Sequence, residues 1–176
     1  HGCDRARRMS ATTRRYEPTA ESVRRHPLPD WYDDAKLGIF VHWGLYSVPA
    51  WAASRKDPFA VIAEGGFDKL FRENPYAEWY LNTLKFPDGP TRAYHERSFG
   101  KDFAYEDFQP LFEQAAAQWI ADDWARLFRD AGAGYAVLTA KHADGYLLWP
   151  SEVGNLRRPG YHATRDLVGD FVSAVR

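Results

Sequence analysis

GYAVLTAKHADG (residues 134–145) is the stretch whose reading decides the fold. Its first half is a short apolar run, residues 135–140, entered from Gly132 and Gly134, and it reads as a buried β-strand. Its second half, KHADG, turns polar at once and puts His142 and Asp144 just past the strand's C-terminal end. A second run of the same kind lies upstream at residues 36–42, KLGIFVH, bounded by Gly38 and by Trp43-Gly44. It is apolar without alternation, as a parallel strand covered on both faces would be. It too ends on chemistry, with His42 and Trp43.

Between the two runs, residues 105–130 carry the clearest helical periodicity, through Phe108, Phe112, Trp119, Trp124 and Phe128. Asp122-Asp123 marks a cap or turn within it, and Gly132 and Gly134 stop it. After the second run, residues 164–176 are amphipathic, with Thr164 as N-cap. The order strand, helix, strand, helix predicts an α/β fold with parallel strands and right-handed crossovers. In a (β/α)8 TIM-type barrel the face at the strands' C-terminal ends carries the active site, and a full barrel needs about 250 residues. The predicted fold is therefore the N-terminal portion of such a barrel over residues 30–176, truncated at its C-terminus. Residues 1–29, rich in Arg and punctuated by Pro18, Pro27 and Pro29, read as an extended leader and a loop. Residues 45–74 read as a long irregular excursion, residues 76–84 as a short helical stretch, and residues 87–90 as a Pro/Gly break.

Composition bounds the rest. The 176 residues are 45% hydrophobic and 27% charged with net charge -1, which describes a globular domain and offers no basic surface for nucleic acid or an acidic membrane. Arg5, Arg7, Arg8, Arg14 and Arg15 form the only basic cluster and read as a solvated tail. Cys3 is the only cysteine, so no disulfide forms within the chain. Neither a membrane span nor a signal-peptide core is visible, and the compartment stays open between cytoplasmic and secreted. Aromatic residues make up 16%, including seven Trp, and such rings either pack cores or stack on sugar C–H faces.

His42 brings together a donor, the indole of Trp43 and the close-approach residue Gly44, and His142 with Asp144 repeats the arrangement at the next strand end. A lone His at a strand end is more often structural, but two on one face favour a polar pocket. Glu78-Trp79 adds a carboxylate beside an indole, suited to hydrogen-bonding and stacking on a sugar, or simply a surface Glu beside a core Trp. Lys141 reads as a buried cation balancing Asp144 or as a group orienting a carboxylate. His42, His142 and Asp144 are also possible metal ligands, although their spacing matches no metal motif. No nucleophile elbow, phosphate-binding loop or dinucleotide fingerprint is present.

WYDDAKLGIFVHWGLYSVPAW (31–51), EWY (78–80), residues 107–151 including AGAGYAVLTAKHADGYLLWPS, and RDLVGDFVSAVR (165–176) together resemble glycoside hydrolase family 29, the α-L-fucosidases. The resemblance implies a (β/α) barrel that removes terminal α-linked L-fucose with retention of configuration, using an Asp nucleophile, a carboxylic general acid/base and no metal or other cofactor. It implies substrate-binding roles for His42, Trp43, Glu78, Trp79 and His142, and a fucosylated oligosaccharide or glycoconjugate as the partner. It places the nucleophile and acid/base beyond Arg176. None of the residues here is then assigned a catalytic role, and the isolated chain is expected to be inactive. The alternative is a non-catalytic fucose-binding remnant. The second His of the family's usual KHHDG motif is Ala143 here, which removes one hydrogen bond to the sugar.

Overall fold

The computed structural model describes residues 16–53 and 56–176. The chain divides into two units, His1–Lys36 and Leu37–Arg176. Cys3 and the basic cluster at Arg5, Arg7, Arg8, Arg14 and Arg15 lie outside the described residues. In the first unit, α1 (Ala20–Arg24) occupies ground that reads as loop. Thr19 caps it by accepting from the Ser22 amide at 3.1 Å, and the helix buries no side chain, so no apolar periodicity announces it. A second short helix, α2 (Asp30–Ala35), follows Pro29 and carries Asp30 and Asp33 in its first turn, where acidic groups suit the helix dipole.

The second unit is built on one parallel strand pair. β1 (Gly38–Val41) and β2 (Tyr135–Leu138) run side by side, Gly38 opposite Tyr135 and Val41 opposite Leu138. Gly38 leaves room there for the Tyr135 ring. A Cβ at that position would lie 2.0 Å from the Tyr135 ring, well inside contact distance. The cover on both faces that the apolar runs predict is absent among the described residues: the sheet has two strands, and Phe40 is 64% exposed. An unbroken apolar run reports what a strand can bury, and it says nothing of which elements arrive to cover it.

The connection between the strands is more helical than its Pro and Gly content predicts. α3 (Pro58–Arg72) fills half of the expected irregular excursion, and α5 (Pro90–Phe99) begins at the expected break. Both start with Pro at the first helical position, where the missing N–H costs nothing and the fixed φ is already helical. Asp57 caps α3 through the Phe59 amide at 2.8 Å, and Gly65-Gly66 then break its helical geometry. α5 buries only Thr91 and His95, too little for a periodic apolar signal. A 3-10 turn (Ala77–Trp79) leads into α4 (Tyr80–Leu84), and α6 (Phe108–Ala117) and α7 (Ala121–Asp130) divide the predicted helical region. Asp122 and Asp123 sit in the first turn of α7. α8 (Leu167–Val175) is capped by Asp166, whose carboxylate accepts the Gly169 amide at 2.8 Å, and not by Thr164. No helix among the described residues is long and apolar enough to cross a membrane.

The core lies mainly in this connection. Tyr80, Tyr105, Phe108 and Phe112 pack with Leu45 and Tyr46 from the turn after β1 and with Tyr146, Leu148 and Leu167 from beyond β2. His95 is fully buried among these rings with both nitrogens engaged, by the Tyr80 hydroxyl at 2.9 Å and the Phe103 carbonyl at 2.7 Å. Arg165 ties the far end of the chain back to α6 by donating to the carbonyls of Ala116 and Trp119, at 3.1 and 3.0 Å, while its Nε pairs with Asp170.

The stop of α7 fixes where β2 begins. Gly132, at φ 80°, lets its own amide bond the Arg129 carbonyl and the Ala133 amide bond the Phe128 carbonyl, at 2.9 and 3.0 Å. The Gly134 amide then donates to Leu37 O at 2.8 Å and opens the strand pairing. Nothing lies within 4 Å of a Cβ built on Gly132, so only the backbone conformation resists substitution. Gly132→Ala is expected to cost about 1–2 kcal/mol in urea unfolding, and Gly132→Asn less, since Asn tolerates the left-handed region.

Candidate functional site

The parallel register brings the two strand-end histidines together. His42 follows directly on Val41, and the pairing extends one step further through the Thr139 amide to the Val41 carbonyl at 2.9 Å. The chain then doubles back, Leu148 N donating to Ala140 O at 3.0 Å, so residues 141–147 form a turn over the strand end. His142 lies in that turn with its ring 5.4 Å from the ring of His42, edge to face at 75°. His42 is exposed and His142 half-buried, and the Nδ1 of His142 is buried with no hydrogen-bond partner.

Tyr46 completes this corner. It belongs to the 3-10 turn Leu45–Ser47, is 2% exposed, and sets its ring 5.5 Å from His142 at 69°. Its hydroxyl is buried without a partner. Burial pushes the phenol's pKa well up, and the charges of Asp144 and then Glu78 push it further. Glu78, half-buried on the turn Ala77–Trp79, therefore acts on the same corner, because the turns at Leu45–Ser47 and Ala77–Trp79 pack together. Trp79 is half-buried beside it.

Asp144 is enclosed where His42 is exposed. It is 6% exposed, its carboxylate accepting from the Tyr105 hydroxyl at 2.9 Å and the Tyr146 amide at 3.3 Å. Burial raises its pKa and outweighs those two hydrogen bonds and the nearby His142 and Arg158, which pull the other way. Lys141 is exposed, which corrects its reading as a buried cation. The cation that reaches this segment is Arg158, whose guanidinium donates to the Asp144 carbonyl at 3.1 Å, pairs with Glu106 at 2.9 Å and lies over the Tyr161 ring. Tyr46, Tyr105 and Arg158 are not marked in the sequence, since an isolated Tyr or Arg between regular elements carries no spacing signal.

Trp43 points the other way, into an aromatic cluster with Phe112, Trp119 and Trp124 at ring distances of 5.2, 4.9 and 5.0 Å. It lines one wall of an apolar cleft of about 540 Å³ with Val48, Leu111 and Trp119. Ala143 is exposed next to His142. Among the described residues, no three His, Cys, Asp or Glu side chains gather into a group able to hold a metal ion.

The sequence model of the α-L-fucosidase family matches residues 5–176. The chain belongs to the α-L-fucosidase family. Among curated relatives, it is 40% identical over 168 residues to an α-L-fucosidase of Dictyostelium discoideum, covering 93% of this chain and 32% of that protein. It is 36% identical over 176 residues to human tissue α-L-fucosidase, covering 96% and 31%. It thus spans about a third of the length of the curated fucosidases it matches. Among solved structures, a Thermotoga maritima α-fucosidase in complex with fucose superposes with a TM-score of 0.75 at 44% identity, covering 92% of this chain and 35% of that one. A Thermotoga maritima α-L-fucosynthase in complex with α-L-Fuc-(1-2)-β-L-Fuc-N3 superposes at 0.79 with 43% identity, covering 92% and 36%.

The burial of Asp144 makes a pH prediction. Its carboxyl titrates higher when folded than the roughly 3.9 of an unfolded Asp, so the native state holds its proton longer. Its contribution is fully present below the unfolded value and is lost as pH rises through the folded one. Relative to wild type, Asp144→Asn is therefore expected to gain unfolding free energy as pH rises through the carboxylate range, then level off. Urea titrations of both proteins across that range check it, and a flat or falling difference contradicts it.

Proposed function

We propose that this chain is the N-terminal part of the catalytic (β/α)8 barrel of a retaining α-L-fucosidase and forms one wall of its fucose site. The observation that carries the reading is the meeting of His42 and His142 at the C-terminal ends of adjacent parallel strands. It is supported by 44% identity to a fucosidase crystallised with fucose. His42 and His142 present ring nitrogens to the sugar hydroxyls, the Glu78 carboxylate accepts from them, and Trp79 supplies an apolar face to the ring. Trp43, held from behind by Phe112, Trp119 and Trp124, fixes the backbone from which His42 projects.

Retention needs two carboxyl groups about 5–5.5 Å apart across the anomeric carbon. Asp144 is unsuited to be one of them, being buried and already bonded to Tyr105 and the Tyr146 amide. The nucleophile and general acid/base are assigned to the remaining two thirds of such a protein. The part played here is to bind and orient the sugar, which lowers the barrier by fixing the reacting geometry. Ala143 leaves an open, non-bonding position beside His142, with room for a substituent that a second imidazole would exclude.

The test uses the full-length protein carrying this chain, assayed on a chromogenic α-L-fucoside. Hydrolysis with retention, followed by NMR of the released sugar, is expected, and its absence overturns the reading. His42→Ala and His142→Ala should each lower kcat/KM by about 2- to 10-fold, the effect of a hydrogen bond worth about 0.5–1.5 kcal/mol. EDTA should leave the rate unchanged. An EDTA-sensitive rate would favour the two histidines as metal ligands instead.

A further inference from the structure

We infer that the cavity lined by the end of α4 and the first turn of α5 binds a tetrahedral oxyanion, phosphate or sulfate, through Arg92 and Lys85. The cavity has a volume of about 220 Å³, far more than a single water needs, so a group of phosphate size fits. Leu81, Leu84 and Phe103 make much of its wall apolar. Four charged side chains line it as well: Lys85, Arg92, Glu106 and Arg158.

These charges do not cancel. Glu106 balances Arg158, pairing with it at 2.9 Å, and Arg158 is further engaged by the Asp144 carbonyl and the Tyr161 ring. Arg92 and Lys85 have no such counterpart. Four arginines are half-buried among the described residues, and three of them pair: Arg72 with Asp88, Arg158 with Glu106 and Arg165 with Asp170. Arg92 is the fourth, and it makes no hydrogen bond or ion pair among the described residues. It stands in the first turn of α5, where a cation opposes the helix dipole, so its charge does not serve the helix. Lys85 is exposed and makes one long contact, to Asn82 Oδ1 at 3.5 Å. Two unmatched cations on one cavity repel each other, and apolar walls strengthen the field they present to an anion. The guanidinium fork suits the oxygens of phosphate or sulfate, and the ammonium adds a point charge. A neutral sugar would leave both charges unmatched.

The anion is a free ion or an ester group on the fucosylated substrate, and its binding does not require fucose at His42 and His142. The experiment is calorimetric titration of the full-length protein with sodium phosphate and with sodium sulfate, at an ionic strength fixed by chloride. Saturable binding is expected, weakened about ten- to hundredfold in Arg92→Gln by the loss of a charge-assisted hydrogen bond, and weakened again in Lys85→Ala. Arg97→Gln removes a charge further along α5 and outside the cavity, and it should leave binding unchanged. Thermal unfolding close to wild type in each variant separates a lost site from a lost fold. No saturable binding, or binding unchanged in Arg92→Gln, overturns the inference. The source of the anion follows from KM for a fucosylated oligosaccharide with and without a sulfate ester. A lower KM for the sulfated substrate that disappears in Arg92→Gln makes the anion part of the substrate. Equal KM values beside an intact calorimetric site make it a free ion. If wild type binds sulfate through Arg92 but cleaves no α-L-fucoside, the fucosidase reading fails and the anion site stands.

Discussion

The parallel register of β1 and β2 is the constraint on which the rest depends. With Val41 opposite Leu138, the residues that leave the two strands emerge at the same end of the sheet. His42 and His142, 100 residues apart in sequence, then lie ring against ring. A slip of one residue would send the side chains of one strand to the opposite face and part the pair. The register is protected at its other end, where the Tyr135 ring covers Gly38 and the left-handed Gly132 delivers Gly134 to Leu37. Parallel pairing requires a long crossover, and here that connection holds most of the core.

That arrangement explains why so much polarity is buried near the strand ends. Asp144 is almost fully enclosed, and it survives there because Tyr105 reaches it from the crossover and the Tyr146 amide from its own turn. The Tyr105 bond joins the segment after β2 to the segment before α6. The turn that carries His142 is therefore anchored to the aromatic core and not only to its own strand. Arg158 adds a second tie between the same two regions, through the Asp144 carbonyl and Glu106. A site built on loops gains its precision from such ties, since loop backbone by itself holds side chains less well than strands or helices do.

Both strands were legible in the sequence because each is a compact apolar run closed by glycine, and their parallel order followed from the helix between them. His42 and His142 were legible as strand-end residues, and their meeting follows from the topology. Other elements were silent for physical reasons. α1 buries nothing, and α5 buries only Thr91 and His95, so neither leaves an apolar stripe. Pro58 and Pro90 read as breaks although they stand where a helix begins. The exposure of Phe40 could not be foreseen, because cover depends on which elements arrive from elsewhere. The partners of Asp144 were equally hidden, since Tyr105 is brought to it only by the folded crossover.

The central claim is that these two strand ends hold one sugar between them. A crystal structure of the full-length protein with L-fucose bound tests it most directly. Ring nitrogens of both His42 and His142 are expected within about 2.7–3.2 Å of oxygens on the same fucose. A fucose bound elsewhere, or one reached by neither imidazole, would contradict the claim.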